Sequence, residues 1–403
     1  MSEDHCNFLF ILINQRVMNL KYSVGLDVSS KKINACISII DDRQKVSVKS
    51  SSVISNTING FKSLQDWISK HKKEDLPVVI CMEATGIYHE NCAYYLFEQG
   101  FDVSIILPNK AKKYLEAIGL KSKNDSIDAK GLSQMGAEQC LDTWQPMGTF
   151  FYQLRLLTRQ HQNVTELKTV LKNQLDALGF AMHQSDPVNN QLKQTITLFE
   201  TQIKELDKAI QSHIKSDEKI AEKVNNILLM KGLGVLTIAT VLSETNGFEL
   251  FNNYKQVVSY AGYDVVEAQS GTRVGKTKIS KRGNSRIRRA LHMPSLVVIQ
   301  CKVKPFKDLW DRTYEKHGVK MKSYVAVQKK LLVMIYHLWN KNESYDVNHQ
   351  INIQEGEQKL SSRECVFVEN KNKKNSPNLK VGTTQGKHPV NNRKKLPLGV
   401  ANI

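Results

Sequence analysis

Near Leu154 the apolar residues of this chain change their spacing, and no single kind of element accommodates both halves. Before that point they gather in short runs with strand character. After it Leu157, Val164, Leu171 and Leu178 stand seven apart, and Leu192, Ile196, Phe199, Ile203, Leu206 and Ile210 alternate in fours and threes. That spacing is a coiled-coil seam. Gly179 to Asn190 contains Gly, Asp-Pro and Asn-Asn, which predicts a reversal joining two antiparallel helices. A helical spacer and an oligomerisation arm both satisfy the pattern.

The first part reads as strands YSVGLD and KINACISII with a polar turn at Ser29 to Lys32, then a third strand near Val46 to Val53. An amphipathic helix from Asn59 to His71 follows, then strand VVICMEA (78–84), a helix from Tyr88 to Gln99 and strand FDVSIIL (101–107). Helices near Asn109–Ile118 and Asp125–Glu138 close the unit. The order βββαβαβαα predicts a mixed sheet covered by helices. A third region opens with MKGLGVLTIATVLSET (230–245), where Gly232 and Gly234 permit a tight hairpin between helices and a Gly-x-Gly turn that presents N–H groups to a phosphate. A plain helix cap explains that turn equally well. Helices are expected again at Met293–Val303 and Lys322–Trp339, with Trp310, Tyr314, Tyr324, Tyr336 and Trp339 at core spacings. The expected division is therefore an extension over 1–21, an α/β domain over 22–148, an arm over 149–225, a mainly helical domain over 226–345 and a basic disordered tail over 346–403. Met18 is read as the functional start.

With 403 residues the chain has room for two or three domains. Its 57 Lys and Arg against 39 Asp and Glu give a formal charge of +18, so a polyanion is the first partner to consider, nucleic acid ahead of an anionic membrane. Between Ala268 and Lys307 no acid occurs, yet Arg273, Lys276, Lys278, Lys281, Arg282, Arg286, Arg288 and Arg289 do. The seven cysteines form no C-x-x-C pair, which argues against a disulfide framework or a zinc site and fits a reducing cytoplasm. Phe8 to Ile13 is too short to cross a bilayer.

Asp27 and Glu83 each end an apolar strand, where a charge is costly unless paired or bound to a cation. Asp125 and Asp128 stand three apart at a helix start, where capping competes with ligation. Together these four offer hard oxygen donors, which suit Mg²⁺ or Mn²⁺. Two such ions side by side support phosphodiester cleavage.

The blocks GLDVSS (25–30), MEATGIYH (82–89) and KSKNDSIDAKGL (121–132) resemble the signatures of the DEDD transposases of the insertion-sequence one-ten and eleven-eleven family. MKGLGVLTIATVLSE (230–244), YAGYDVVEAQSG (260–271) and KISKRGNSRIRRAL (278–291) resemble that family's second domain. The resemblance runs from Tyr22 to Trp339. It implies an RNase H-like (RuvC-like) catalytic domain, a coiled-coil arm and a C-terminal transposase domain. It also implies a metal-binding tetrad, which maps onto Asp27, Glu83, Asp125 and Asp128, and a serine nucleophile. Ser270, which precedes Gly271, fits that serine better than Ser280 or Ser285, the latter standing where an N-cap is ordinary. DNA, a structured guide RNA and further copies of the chain are the partners implied, in a bacterial, nucleoid-associated setting. One departure is Ala261-Gly262-Tyr263-Asp264-Val265, where the family often has Pro. Protein-guided DNA inversion, RuvC-like junction resolution and noncatalytic nucleic-acid binding are the alternatives.

Overall fold

The computed structural model describes residues 17–84, 86–119, 124–267, 269–275 and 277–346. Most of the expected N-terminal extension, the expected tail beyond Asp346 and Lys276 lie outside the described residues. The chain divides into two compact units, one of residues 1–156 with 245–250, the other of 157–244 with 251–403.

In the first unit strands β1 (Asn19–Val28), β2 (Lys32–Asp41), β3 (Val46–Ser55), β4 (Val78–Glu83) and β5 (Asp102–Ile106) form one sheet in the order β3-β2-β1-β4-β5. β2 runs antiparallel to β1 and to β3, whereas β4 runs parallel to β1 and β5 parallel to β4. The predicted mixed sheet is present. β1 starts three residues before Tyr22, because Asn19 pairs with Asp41 across a bulge. The central strands β1 and β2 carry near-continuous apolar runs because helices cover both faces, while the edge strand β3 is largely half-buried or exposed.

Helices α1 (Ile58–His71) and α2 (Glu90–Glu98) cover one face, over a core that includes Val24, Leu26, Ile37, Leu64, Ile80 and Leu96. α3 (Pro108–Ala117) and α4 (Asp125–Glu138) cover the other, with Cys81, Ile106, Ala111, Leu132 and Met135 between. α4 lies on β1 with almost nothing between them. A Cβ on Gly25 would overlap the Ala129 carbonyl oxygen and the Ser133 nitrogen, and one on Gly136 would overlap Ser23 Oγ. Ser133 Oγ donates to the Ser23 carbonyl at 2.9 Å and bonds Ser38 Oγ at 2.8 Å. Lys21 Nζ donates to the carbonyls of Gly136 and Gln139 at the end of α4, at 2.8 and 3.2 Å, where a cation also complements the helix dipole. These contacts fix the direction: α4 runs opposite to β1, so the carboxyl end of β1 meets the first turn of α4.

The second unit begins with most of α5 (Thr149–Leu178) and α6 (Asp186–Lys215). The contact of His161 Nε2 with Asp207 Oδ1 at 3.2 Å and the ion pair Lys172 Nζ–Glu200 Oε1 at 3.1 Å set the two helices antiparallel. Val164, Leu192, Ile196 and Ile210 of the seven-spaced set are buried. The reversal is shorter than the sequence indicates, since α6 resumes at Asp186 with Pro187 in its first turn, a position that asks no N–H of proline. α7 (Glu218–Leu228), α8 (Val235–Thr245), α9 (Tyr254–Tyr260), α10 (Ser285–Ala290), α11 (His292–Gln300), α12 (Lys304–His317) and α13 (Lys320–Lys341) follow. Between α9 and α10 lie the short strands β6 (Val265–Val266), β7 (Gln269–Ser270), β8 (Arg273–Val274) and β9 (Lys278–Ile279), β6 pairing with β9 and β7 with β8. α11 stops at Gln300, short of the expected Val303, where Lys302 takes a left-handed φ of 51°. Gly232 serves packing: its φ is 96° and a Cβ there would press on Val298. Trp339 and Tyr336 are buried, and Trp310 stacks on Tyr314 at 4.9 Å between ring centres.

Gly25→Ala should cost about 3 kcal/mol or more in urea unfolding of the whole chain, because backbone rather than a movable side chain meets the new methyl. Gly100→Ala, with φ 81° and open space around it, should cost only about 1 kcal/mol. Equal losses in the two variants would refute the close approach of α4.

Candidate active site and basic segment

Asp27 is the penultimate residue of β1 and pairs with Asn34; Glu83 ends β4 and pairs with Ile106. Leu26 and Met82 are the last registered pair of these parallel strands. One step further, Asp27 and Glu83 therefore stand on neighbouring strands at the same sheet edge, both half-buried. The first turn of α4 arrives at that edge. Its N-cap is Asn124, whose Oδ1 accepts from Ile127 N at 2.8 Å, so the capping role does not fall to either aspartate. Asp128 directly precedes Ala129, the residue against Gly25, and is half-buried. Asp125 is exposed and pairs with Lys32 Nζ at 3.1 Å. The backbone thus brings the four sequence-predicted carboxylates to one end of the sheet. Asp27, Glu83 and Asp128 all have partners. Among the described residues no three His, Cys, Asp or Glu side chains are grouped closely enough to hold a metal ion.

The segment after Glu83 is tied to the exit of β1. Asn56 Nδ2 donates to the carbonyls of Ser29 at 2.8 Å and Tyr88 at 3.0 Å. Beside that tie His89 is buried, and its Nδ1 has no hydrogen-bond partner among the described residues. Burial pushes its pKa below the ordinary imidazole value, partly opposed by Glu90. Glu90 accepts from Tyr152 Oη at 2.6 Å.

In the second unit Ser270 is exposed in β7, paired with Arg273 of β8 around Gly271, whose φ is 56°. A loop is expected here from sequence; a minimal hairpin is what forms. Ser280 Oγ donates to the Gly262 carbonyl at 3.3 Å and accepts from Arg282 N at 3.3 Å, so it shapes a turn. Ser285 is not the N-cap of α10. Asn284 takes that place, accepting from Arg286 N and Ile287 N.

The basic segment divides by use. Arg286 Nη1 donates to Gln162 Oε1 at 2.8 Å, Arg288 Nη1 to the carbonyls of Ala261 and Gly283, and Arg289 pairs with Glu166. Lys278, Lys281 and Arg282 are exposed. The organising acid is Glu244, which sequence reasoning missed, since a lone Glu at a helix end carries no distinguishing pattern. Its side chain is 1% exposed. It accepts from Arg159 Nε and Nη2 at 2.7 and 2.9 Å and from Asn284 Nδ2 at 2.7 Å, with Arg286 Nε 3.9 Å away.

Removing a buried acid from such a set strands its donors. Glu244→Ala should lower stability by about 2–4 kcal/mol in denaturant unfolding, whereas Glu166→Ala, at a solvent-screened pair, should cost far less. Similar costs would refute the central place of Glu244. For His89 the depressed pKa means that the unfolded chain takes up the proton first. The stability tied to it is full above the unfolded-state value of about 6.5 and is lost as pH falls below that. Wild type should therefore lose more stability than His89→Gln between about pH 7.5 and 5.5; parallel pH curves would show that His89 is not buried neutral.

Residues 24–178 match a DEDD transposase family of the IS110 type, described as "Transposase", and residues 224–311 match "Transposase IS116/IS110/IS902 family". The pilin gene-inverting protein of Moraxella bovis is 25% identical over 327 residues, covering 81% of this chain and 98% of that protein. The transposase for insertion sequence element IS1111A of Coxiella burnetii is 22% identical over 293 residues, covering 66% of this chain and 79% of that protein. Among solved structures, Thermus thermophilus RuvC in complex with a Holliday junction substrate aligns at 12% identity and a TM-score of 0.24, covering 29% of this chain and 93% of that one. The two family matches lie in order along the chain and contain the signature blocks of both halves, and the chain belongs to the IS110 family of DEDD transposases.

Proposed function

We propose that this transposase cuts and rejoins DNA by metal-assisted phosphoryl transfer with Ser270 as nucleophile, guided by a structured RNA of its element. The observation that carries the reading is the placement of Asp27 and Glu83 on adjacent parallel strands at the end of the sheet reached by the first turn of α4, which carries Asp125 and Asp128. The sheet order, with three antiparallel strands and two parallel additions, supports an RNase H-like (RuvC-like) domain over 22–148. The helical hairpin supports an arm over 149–225. Leu167, Val170, Phe180 and Met182 are exposed along it, which supports assembly with further copies. The guide RNA rests on the family resemblance alone.

The donor set fits a divalent metal in its chemistry: Asp27, Glu83, Asp125 and Asp128 all offer hard oxygens. These four residues would hold Mg²⁺ or Mn²⁺, two ions in the proposed reading, which when bound would supply charge stabilisation to the phosphate and the leaving oxygen. Ser270 Oγ attacks phosphorus and gives up its proton to solvent, while the ester bond to one strand end breaks and that oxygen gains a proton. The second strand's hydroxyl then attacks the serine phosphodiester, returning Ser270 and joining DNA without net hydrolysis. Exposed Lys278, Lys281 and Arg282 neutralise backbone phosphates. Arg273 and Lys276 belong to the same proposal by sequence, while Arg286, Arg288 and Arg289 bear first on the fold. No helix among the described residues is long and apolar enough to cross a membrane.

Protein-guided inversion is the second reading, favoured by the pilin gene-inverting relative that aligns over 98% of its own length. Glu83→Gln and Asp27→Asn should each abolish Mg²⁺-dependent strand cleavage by a factor above about 10² with DNA binding retained. Ser270→Ala should abolish the covalent protein–DNA adduct trapped by denaturation. Full strand exchange by Ser270→Ala would reject the covalent route, and exchange unaffected by ribonuclease would select the inversion reading.

A further inference from the structure

A cavity of about 980 Å³ lies in the second unit; it shares no residue with Ser270 or with the cations from Arg273 to Arg289, and Lys302 and Lys304 at its wall belong to the far end of the acid-free stretch. Its lysines come from four places: Lys231 in the turn before α8, Lys302 between α11 and α12, Lys304 at the start of α12, and Lys330 and Lys341 on α13. Among the described residues only Glu343 and Asp346 supply acid at its rim, and Glu343 stands 3.9 Å from Lys341. Among the described residues no carboxylate lies within salt-bridge distance of Lys231, Lys302 or Lys304. Lys330 Nζ donates to the Pro305 carbonyl at 2.9 Å and is half-buried. Burial, together with Arg312, pushes its pKa below the usual lysine value against the pull of Asp308.

Gathering like charges around one hollow destabilises a fold unless an anion offsets them. Lys302 holds φ at 51° in the cap that closes α11, where Val303 N donates to the Val298 carbonyl at 3.0 Å, so its place at the cavity wall is set by the helix end. The hollow exceeds a single phosphate in size, and Met334 and Leu338 give it apolar wall suited to sugar faces.

We infer that this cavity is a second nucleic-acid contact, seating consecutive phosphates of one strand between Lys231, Lys302, Lys304 and Lys330. The inference rests on the reading of the chain as a DNA-cutting recombinase and adds a binding surface outside the segment assigned to the reaction. Anisotropy titrations of the full chain with a generic DNA duplex, over a range of salt, test it. The triple variant Lys231→Ala, Lys302→Ala, Lys304→Ala should lower the slope of log K against log salt by about two to three, at ~0.9 for each phosphate no longer neutralised. The matching triple variant to Arg should keep the wild-type slope, which separates lost charge from lost fold. The same titration with single-stranded RNA identifies the source: loss confined to RNA assigns the site to a guide strand, and loss with DNA assigns it to an element end or target. Unchanged slopes with both would overturn the inference. Wild-type cleavage, scored separately, keeps the two claims apart. Slope loss without any cleavage leaves the cavity standing and rejects the mechanism; cleavage with unchanged slopes does the reverse.

Discussion

Backbone contact between α4 and β1 is the constraint on which the first unit turns. A helix usually rests on a sheet through a layer of side chains, which leaves it freedom to slide and rotate. Here Gly25 and Gly136 remove that layer, and the buried Ser133 hydroxyl bonds the β1 carbonyl at Ser23 and the β2 hydroxyl at Ser38. Lys21 holds the far end of the helix through two of its last carbonyls. With the register fixed along its length, the first turn of α4 has one place to go, the edge where Asp27 and Glu83 end their strands. Carboxylates distant in sequence are thereby placed by packing of the smallest side chains in the unit.

Acids are scarce in a chain at +18, and the second unit spends one of them in its interior. Buried Glu244 draws Arg159 and Asn284 together, with Arg286 near. Three arginines that look in sequence like phosphate ligands thus face protein acceptors. The surface charge left over sits on Lys278, Lys281 and Arg282 and on the lysines of the separate cavity. Charge density along a sequence overstates charge available to a partner wherever an internal acid or carbonyl is close by.

Much of the first unit was legible because its apolar runs are short, bounded by turn residues and arranged in an order that admits few topologies. The strand ends at Asp27 and Glu83 were visible as carboxylates closing apolar runs. What α4 does was not, since Gly25 and Gly136 announce nothing until the two backbones are set together. The helix caps show the same limit. Asn124 and Asn284 take positions that sequence leaves open to Asp125 and Ser285, because the cap is decided by one residue's φ and ψ rather than by composition. Glu244 was invisible for the opposite reason: its partners at Arg159 and Asn284 are tens of residues away, and only the fold brings them within reach. The apolar spacing was informative about helices and about the fall of burial onto Val164, Leu192, Ile196 and Ile210, but the reversal read over 179–190 was too long, because α6 restarts at Asp186 with Pro187 in its first turn.

The groups assigned to the reaction are held in two different ways. Asp27 and Glu83 belong to central strands, bonded on both sides and backed by a core, so their backbone positions open only with the whole sheet. Ser270 stands in a two-residue strand against another two-residue strand, turned by a left-handed glycine and exposed. A ladder that short is marginal by itself in water. In the mechanism proposed above, the acids would be preorganised by folding, whereas Ser270 would take its order from binding.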